Sequence, residues 1–315
     1  MNKLDKQFGK LIIIAGPTAI GKSGLAIRLA KEIGGEVISA DSMQVYKGMD
    51  IGTAKVTAAE MDGIPHHLID ILDPSEEFSA PLFKELAMEA CAGIYSRGHI
   101  PIICGGTGFY IQALLYDVDF KEEADHDEEL RAALWKLYDE KGGEPLRQIL
   151  NIEDPVTAAT MDFNNIKRVI RAIEYHKIHG GSIRRHNEEE REKQWGSPFD
   201  HRFFVLTGDR KALTLRIDAR VDKMMEDGLL EEARALYERK IGPGLSVTAA
   251  QAIGYKELFN YFDGSCSLEA AVEQIKINSR QYSKRQQSWF KREKTAVTIN
   301  IDEGDPLDEI RKYLW

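Results

Sequence analysis

One pattern constrains this chain more than any other: Gly16-Pro17-Thr18-Ala19-Ile20-Gly21-Lys22-Ser23, set between the apolar run 11–15 and the helical spacing of Leu25, Leu29 and Ile33. A strand, a loop of the form G-x-x-x-x-G-K-[ST] and a helix, in that order, make a phosphate cradle. Gly16 and Gly21 permit the tight turn, so that amide N–H groups converge on an anion at a helix N-terminus. Lys22 adds a point charge, and the Ser23 hydroxyl is a ligand for Mg²⁺. A substrate carrying phosphate follows from this stretch; its identity does not.

The rest of the chain narrows the class. At 315 residues it can bury a large core and hold one big domain with an insertion. Cys91, Cys104 and Cys266 are an odd number with no C-x-x-C pair, which argues against disulfides or zinc and for a cytoplasmic setting. The apolar run 11–15 is too short for a secretory segment, and nothing approaches the ~20 apolar residues of a membrane span. A net charge of −9 opposes unspecific nucleic-acid binding but allows a local basic groove.

A short strand over 36–39 delivers Asp41, Ser42, Met43 and Gln44 to its C-terminal end, where ligands sit in open parallel sheets. Asp41 there is either a proton acceptor or metal ligand, or simply a turn residue; position alone does not choose. His66 and His67 lack partners at ligand spacing and suit packing or substrate positioning better than metal. The apolar strand 100–104 runs into Gly105-Gly106-Thr107-Gly108-Phe109-Tyr110, a second glycine turn expected to form the other wall of one pocket.

From about residue 119 the composition becomes charge-dense and helical, with no strand signal until 202–207. The expected organisation is an α/β fold with a P-loop NTPase-like parallel sheet core (1–118 and 192–315), an all-helical insertion (119–191) and a helical C-terminal region. Lys167, Arg168 and Arg171 share a helix in the insertion. Arg216 and Arg220 fall one turn apart on a later helix. A long helix from 268 carries Lys276, Arg280, Lys284, Arg285, Lys291 and Arg292 among Tyr282, Trp289 and Phe290. That pattern suits a nucleic-acid groove and a solvated helix equally. The residues by themselves support a P-loop α/β enzyme; a small-molecule kinase fits the loop but leaves the basic helices without a task.

Seven segments together resemble the bacterial tRNA dimethylallyltransferases, also called tRNA isopentenyl-diphosphate transferases. They are the phosphate loop 16–23, DSMQVYKGMDIGTAK at 41–55, HHLID at 66–70, GGTGFY at 105–110, KRVIRAIE at 167–174, QAIGYKE at 251–257 and SRQYSKRQQSWF at 279–290. They span nearly the whole chain; Ile20 departs from the family's usual small polar residue.

The resemblance implies transfer of a dimethylallyl group from its diphosphate to the exocyclic amine of an adenosine beside the tRNA anticodon, with Mg²⁺ assisting. By position it implies that Gly16, Pro17, Thr18, Ala19, Ile20, Gly21, Lys22 and Ser23 hold the diphosphate and that Ser23 meets the metal. Asp41 would be the general base, Thr107 would contact the target, and Arg131 and Arg216 would stabilise diphosphate, with Arg220 a rival for the last place. Asp41, Ser42, Met43 and Gln44, then Lys167, Arg168, Val169, Ile170 and Arg171, then Gln251, Ala252, Ile253, Gly254, Tyr255 and Lys256 would line the path of the anticodon stem-loop. A cytoplasmic monomer with no membrane partner is expected. A prenyltransferase acting on free adenine nucleotides is the neighbouring alternative.

Overall fold

The computed structural model describes residues 8–116, 127–186, 188, 197–241 and 244–315. The expected bounds of the insertion, 119 and 191, and the loop residues Gly242 and Pro243 lie outside them. The chain divides into two compact units, 1–115 with 198–315, and 116–197.

The first unit is built on a six-stranded, wholly parallel sheet in the order β3-β2-β4-β1-β5-β6. Its strands are β1 (Lys10–Ala15), β2 (Gly35–Ala40), β3 (His66–His67), β4 (Ile100–Gly105), β5 (Asp200–Thr207) and β6 (Val297–Asn300). β1, with Leu11 to Ala15 wholly buried, sits between β4 and β5, because only a strand covered on both faces can be apolar throughout. The helices, in chain order, are α1 (Lys22–Ile33), α2 (Ala58–Met61), α3 (Ala80–Ser96), α4 (Gly108–Leu115), α5 (Glu128–Lys141), α6 (Glu144–Glu153), α7 (Pro155–Ala158), α8 (Ile166–His179), α9 (Arg210–Glu226), α10 (Leu229–Ile241), α11 (Val247–Ala250), α12 (Tyr255–Phe262), α13 (Leu268–Phe290) and α14 (Pro306–Arg311).

Alternation along the strands assigns the two faces. Ile12, Ile14, Ile102, Cys104, Phe204 and Leu206 form one core cluster with Leu25 and Leu29 of α1, Ile217 of α9 and Ile310 of α14. On the opposite face Phe203 meets Phe290 of α13 edge to face, with ring centroids 6.5 Å apart. The register aligns Ala15 with Gly105 and Val205, and Ala40 with Gly105. The loops leaving β1, β2 and β4 therefore emerge side by side at one end of the sheet. Gly105 is needed there: a Cβ on it would lie 2.2 Å from the Ala40 carbonyl oxygen.

In the second unit, α5, α6 and α8 enclose Leu134, Leu146, Leu150, Val169, Ile170 and Ile173. Asp127 caps α5 by accepting from Leu130 N–H at 2.9 Å, and Asn165 caps α8. Among the described residues no helix is long and apolar enough to cross a membrane.

Candidate active site

Gly16 (φ 150°) and Gly21 (φ 94°) adopt backbone that favours glycine, and Ala19 between them is held at φ 62°, so the loop is wound tightly over the start of α1. The Lys22 ammonium folds back over this loop and donates to the Pro17 carbonyl at 2.7 Å. Burial pulls its pKa down from the ordinary lysine value to about 8; neighbouring Asp41 opposes the shift and Arg220 adds to it. Ser23 stands exposed at the loop exit, above the buried thiol of Cys104, which burial pushes up to about 11.

Thr18 is grasped from two helices. Arg220 of α9 donates from Nη1 to Thr18 Oγ1 at 3.2 Å, and Gln286 of α13 accepts from the Thr18 N–H at 2.8 Å. Asp41, one strand away, turns its Oδ1 to the Met43 N–H at 2.9 Å, which leaves its second oxygen for other partners. Thr18, Asp41, Ser42, Met43, Arg220, Tyr282 and Arg285 share the lining of a pocket of about 290 Å³ with Gly52 to Ala54 and with Gln251 to Gly254 and Lys256. Burial, with Asp41 second, raises the Tyr282 phenol to about 12, so it is a neutral donor at physiological pH. Behind Tyr282 lies Thr107, whose N–H donates to Ala40 C=O at 3.1 Å and whose hydroxyl is buried without a hydrogen-bond partner of good geometry.

The 41–55 segment owes its shape to three ties. Gln44 accepts from Ser39 Oγ at 3.1 Å and donates to the carbonyls of Thr53 and Ala54. Lys55, with a nearly buried side chain, donates to Asp50, Asp70 and the Tyr46 carbonyl. Glu232 of α10 accepts from the amides of Asp50, Ile51 and Gly52 at 2.9, 2.9 and 3.0 Å and from the Tyr255 hydroxyl at 2.6 Å.

Several expected contacts are placed elsewhere. Arg216 is exposed and outside the pocket lining; Arg220, one turn further along α9, is the arginine that meets the loop, through Thr18. Arg131 belongs to the second unit, where it pairs with the buried Glu174 at 2.6 Å. Val169 and Ile170 are 1% and 2% exposed and form the core beneath α8, so Lys167, Arg168 and Arg171 are the residues of that stretch at the surface. Tyr255 is wholly buried under Gly52, and Gln44 is a brace. Lys276 and Arg280, expected in a basic stripe, are tied to Asp222 and to Asp218 with Glu273. His67 pairs with Glu36, and His66 bonds the Ile64 carbonyl, as packing residues do. Gln286 and Glu232 carry no local signal, since the loop amides and carbonyl they bind lie 180 or more residues away.

Comparison with known proteins decides the family. The model for IPP transferase matches residues 44–293, and that for isopentenyl transferase matches 9–71. The chain belongs to the IPP transferase family. It is 50% identical over 290 residues to the tRNA dimethylallyltransferase of Lachnoclostridium phytofermentans, covering 92% of this chain and 91% of that one. With the Bacillus subtilis tRNA dimethylallyltransferase it shares 47% over 304 residues, covering 96% and 94%. The crystal structure of the full-length tRNA isopentenylpyrophosphate transferase of Bacillus halodurans superposes with a TM-score of 0.72 at 43% identity, over 96% of this chain and 95% of that one. A eukaryotic dimethylallyltransferase acting on tRNA gives 0.79 at 33%, over 96% and 77%. Among IPP transferases, then, this chain shares its fold with solved members from a bacterium and a eukaryote.

Proposed function

We propose that this IPP transferase moves the dimethylallyl group of dimethylallyl diphosphate onto the exocyclic N6 of the adenosine 3′-adjacent to a tRNA anticodon. The observation that carries this is one pocket lined both by Thr18 of the phosphate loop, with Arg220 donating to it, and by Asp41, whose Oδ1 goes to the Met43 amide and whose second oxygen is left for a substrate proton.

The allylic C–O bond breaks and its electron pair leaves with the diphosphate. Lys22, Arg220 and the loop amides stabilise that growing charge more than the ground state. The N6 lone pair forms the new C–N bond, and Asp41 takes the proton the nitrogen sheds. Among the described residues no three His, Cys, Asp or Glu side chains gather as a metal set. The protein donor on offer is the Ser23 hydroxyl, a sparse provision that fits Mg²⁺, which keeps waters and substrate phosphates as ligands. Bound there, Mg²⁺ would supply further charge neutralisation on the diphosphate.

The adenine is stacked within an anticodon loop and must be extruded to reach the pocket. Exposed Lys167, Arg168, Arg171, Lys284 and Lys291 are assigned to the RNA backbone, and Arg285 and Lys256 to the pocket mouth. The active unit is taken to be a cytoplasmic monomer, in keeping with its three free thiols. The test offers labelled dimethylallyl diphosphate and Mg²⁺ with unmodified tRNA, and in parallel with AMP, while ATP hydrolysis is followed separately. Label on tRNA alone is expected. Label on AMP would remove the RNA path, and ATP turnover without prenyl transfer would replace the donor.

A further inference from the structure

Gln286 lies on α13 with 5% of its surface exposed, and both ends of its amide are spent on backbone. Its Oε1 accepts from the Thr18 N–H of the phosphate loop at 2.8 Å, and its Nε2 donates to the Gly106 carbonyl of the second glycine turn at 3.1 Å. One side chain therefore joins the loop that holds the leaving group to the turn beside the acceptor. The fit has no slack: a Cβ on Gly106 would come within 2.0 Å of Gln286 Nε2, and one on Gly108 within 2.1 Å of the Trp289 indole one turn further along α13. Glycine at both places admits the helix at this height.

The loop uses Thr18 differently from an ordinary cradle residue. Its amide goes to Gln286 and its hydroxyl to Arg220, so Thr18 is an anchor, and the anion is left to the amides at the start of α1. A glutamine is suited to the task because it alone among uncharged side chains of this length offers an acceptor and a donor from one rigid plane. A carboxylate could accept from Thr18 but would face the Gly106 oxygen with a second acceptor.

We infer that Gln286 is a positioning residue for prenyl transfer: it fixes the phosphate loop against the Gly106–Thr107 turn and so sets the donor at its working distance from the acceptor. The inference rests on the transfer reaction proposed above. Misplacing reacting groups by about 1 Å costs on the order of a hundredfold in rate.

The test uses the full chain with Gln286→Met, Gly106→Ala and the double variant. Each is titrated with inorganic pyrophosphate plus Mg²⁺ and with an anticodon stem-loop, then assayed for transfer well below its thermal midpoint. Gln286→Met is expected to weaken pyrophosphate about tenfold and lower kcat about a hundredfold, with the stem-loop Kd within about twofold of wild type. Gly106→Ala should give the same defect, and the double variant should be no worse than either, because both sever one link. Pyrophosphate affinity and kcat near wild type in Gln286→Met would overturn the inference. So would a parallel loss of stem-loop affinity, or defects that multiply in the double variant, since either marks a general structural role. If the wild-type protein fails to transfer prenyl to tRNA yet its pyrophosphate affinity depends on Gln286, the substrate assignment falls and the loop-fixing role stands.

Discussion

Arg220 Nη1 lies 3.2 Å from Thr18 Oγ1, while Arg216, one helical turn earlier, points to solvent. Burial lowers the Arg220 pKa without discharging it, and Asp41 opposes the shift, so a full positive charge stands at the edge of the phosphate loop. Arg220→Ala is expected to lower kcat for prenyl transfer by about two to three orders of magnitude, the scale of losing one preorganised charge partner. Arg216→Ala should stay within about threefold. Steady-state kinetics on the pair check this, and equal losses would reject the assignment.

Asp41 is the only carboxylate that lines this pocket among the described residues. Asp41→Asn keeps the turn acceptor for the Met43 amide but cannot take a proton. Transfer should fall by at least about a hundredfold, with stem-loop affinity nearly unchanged. A rate near that of wild type would take Asp41 out of the base role.

Lys22 supplies the pH dependence. With its pKa lowered to about 8 by burial, the charged form needed to meet diphosphate is half populated near pH 8, nearly complete about a unit below and lost above. The profile of kcat/KM for the donor, which reports the free enzyme, should bend downward near pH 8 with a one-proton slope. A profile level to pH 9.5, about 1.5 units higher, would place Lys22 outside donor capture.

Glu36 tests stability apart from chemistry. It is 1% exposed at the opposite end of β2 from Asp41 and binds Arg97, His99 and His67. The Arg97 guanidinium, helped by the two histidines and opposed by burial, holds its pKa down at about 2. A depressed carboxylate stabilises the fold above its unfolded value, near 4.5, and that contribution fades as pH falls towards 2. Glu36→Gln should therefore cost about 3 kcal/mol at pH 7, since it leaves Arg97 without its buried partner. The deficit should shrink between pH 4.5 and 2 while kcat per folded enzyme stays unchanged. Denaturant titrations at pH 7 and 3 are the measurement.

What local physics controls is legible in local stretches of the chain. The phosphate loop, the second glycine turn and the buried strands depend on neighbours within a few residues. Arg220 was harder to separate from Arg216, because helical spacing states that two side chains share a side but not which one a distant loop will meet. Val169 and Ile170 fall inside a basic motif by contiguity, although the 3.6-residue period turns them inward from Lys167, Arg168 and Arg171. Two of the six basic residues of the stripe that begins on α13, Lys276 and Arg280, are consumed by acids on α9, Asp222 and Asp218, whose pairing no window of sequence contains.

Glu232 binds three successive loop amides and the Tyr255 hydroxyl with two oxygens. Those amides belong to no strand or helix, yet none can exchange its hydrogen with solvent until the carboxylate lets go. Deuterium should enter Asp50, Ile51 and Gly52 on the timescale of the sheet and not of a surface loop. In exchange terms, this wall of the pocket is part of the rigid body of the protein, although its backbone has no regular structure.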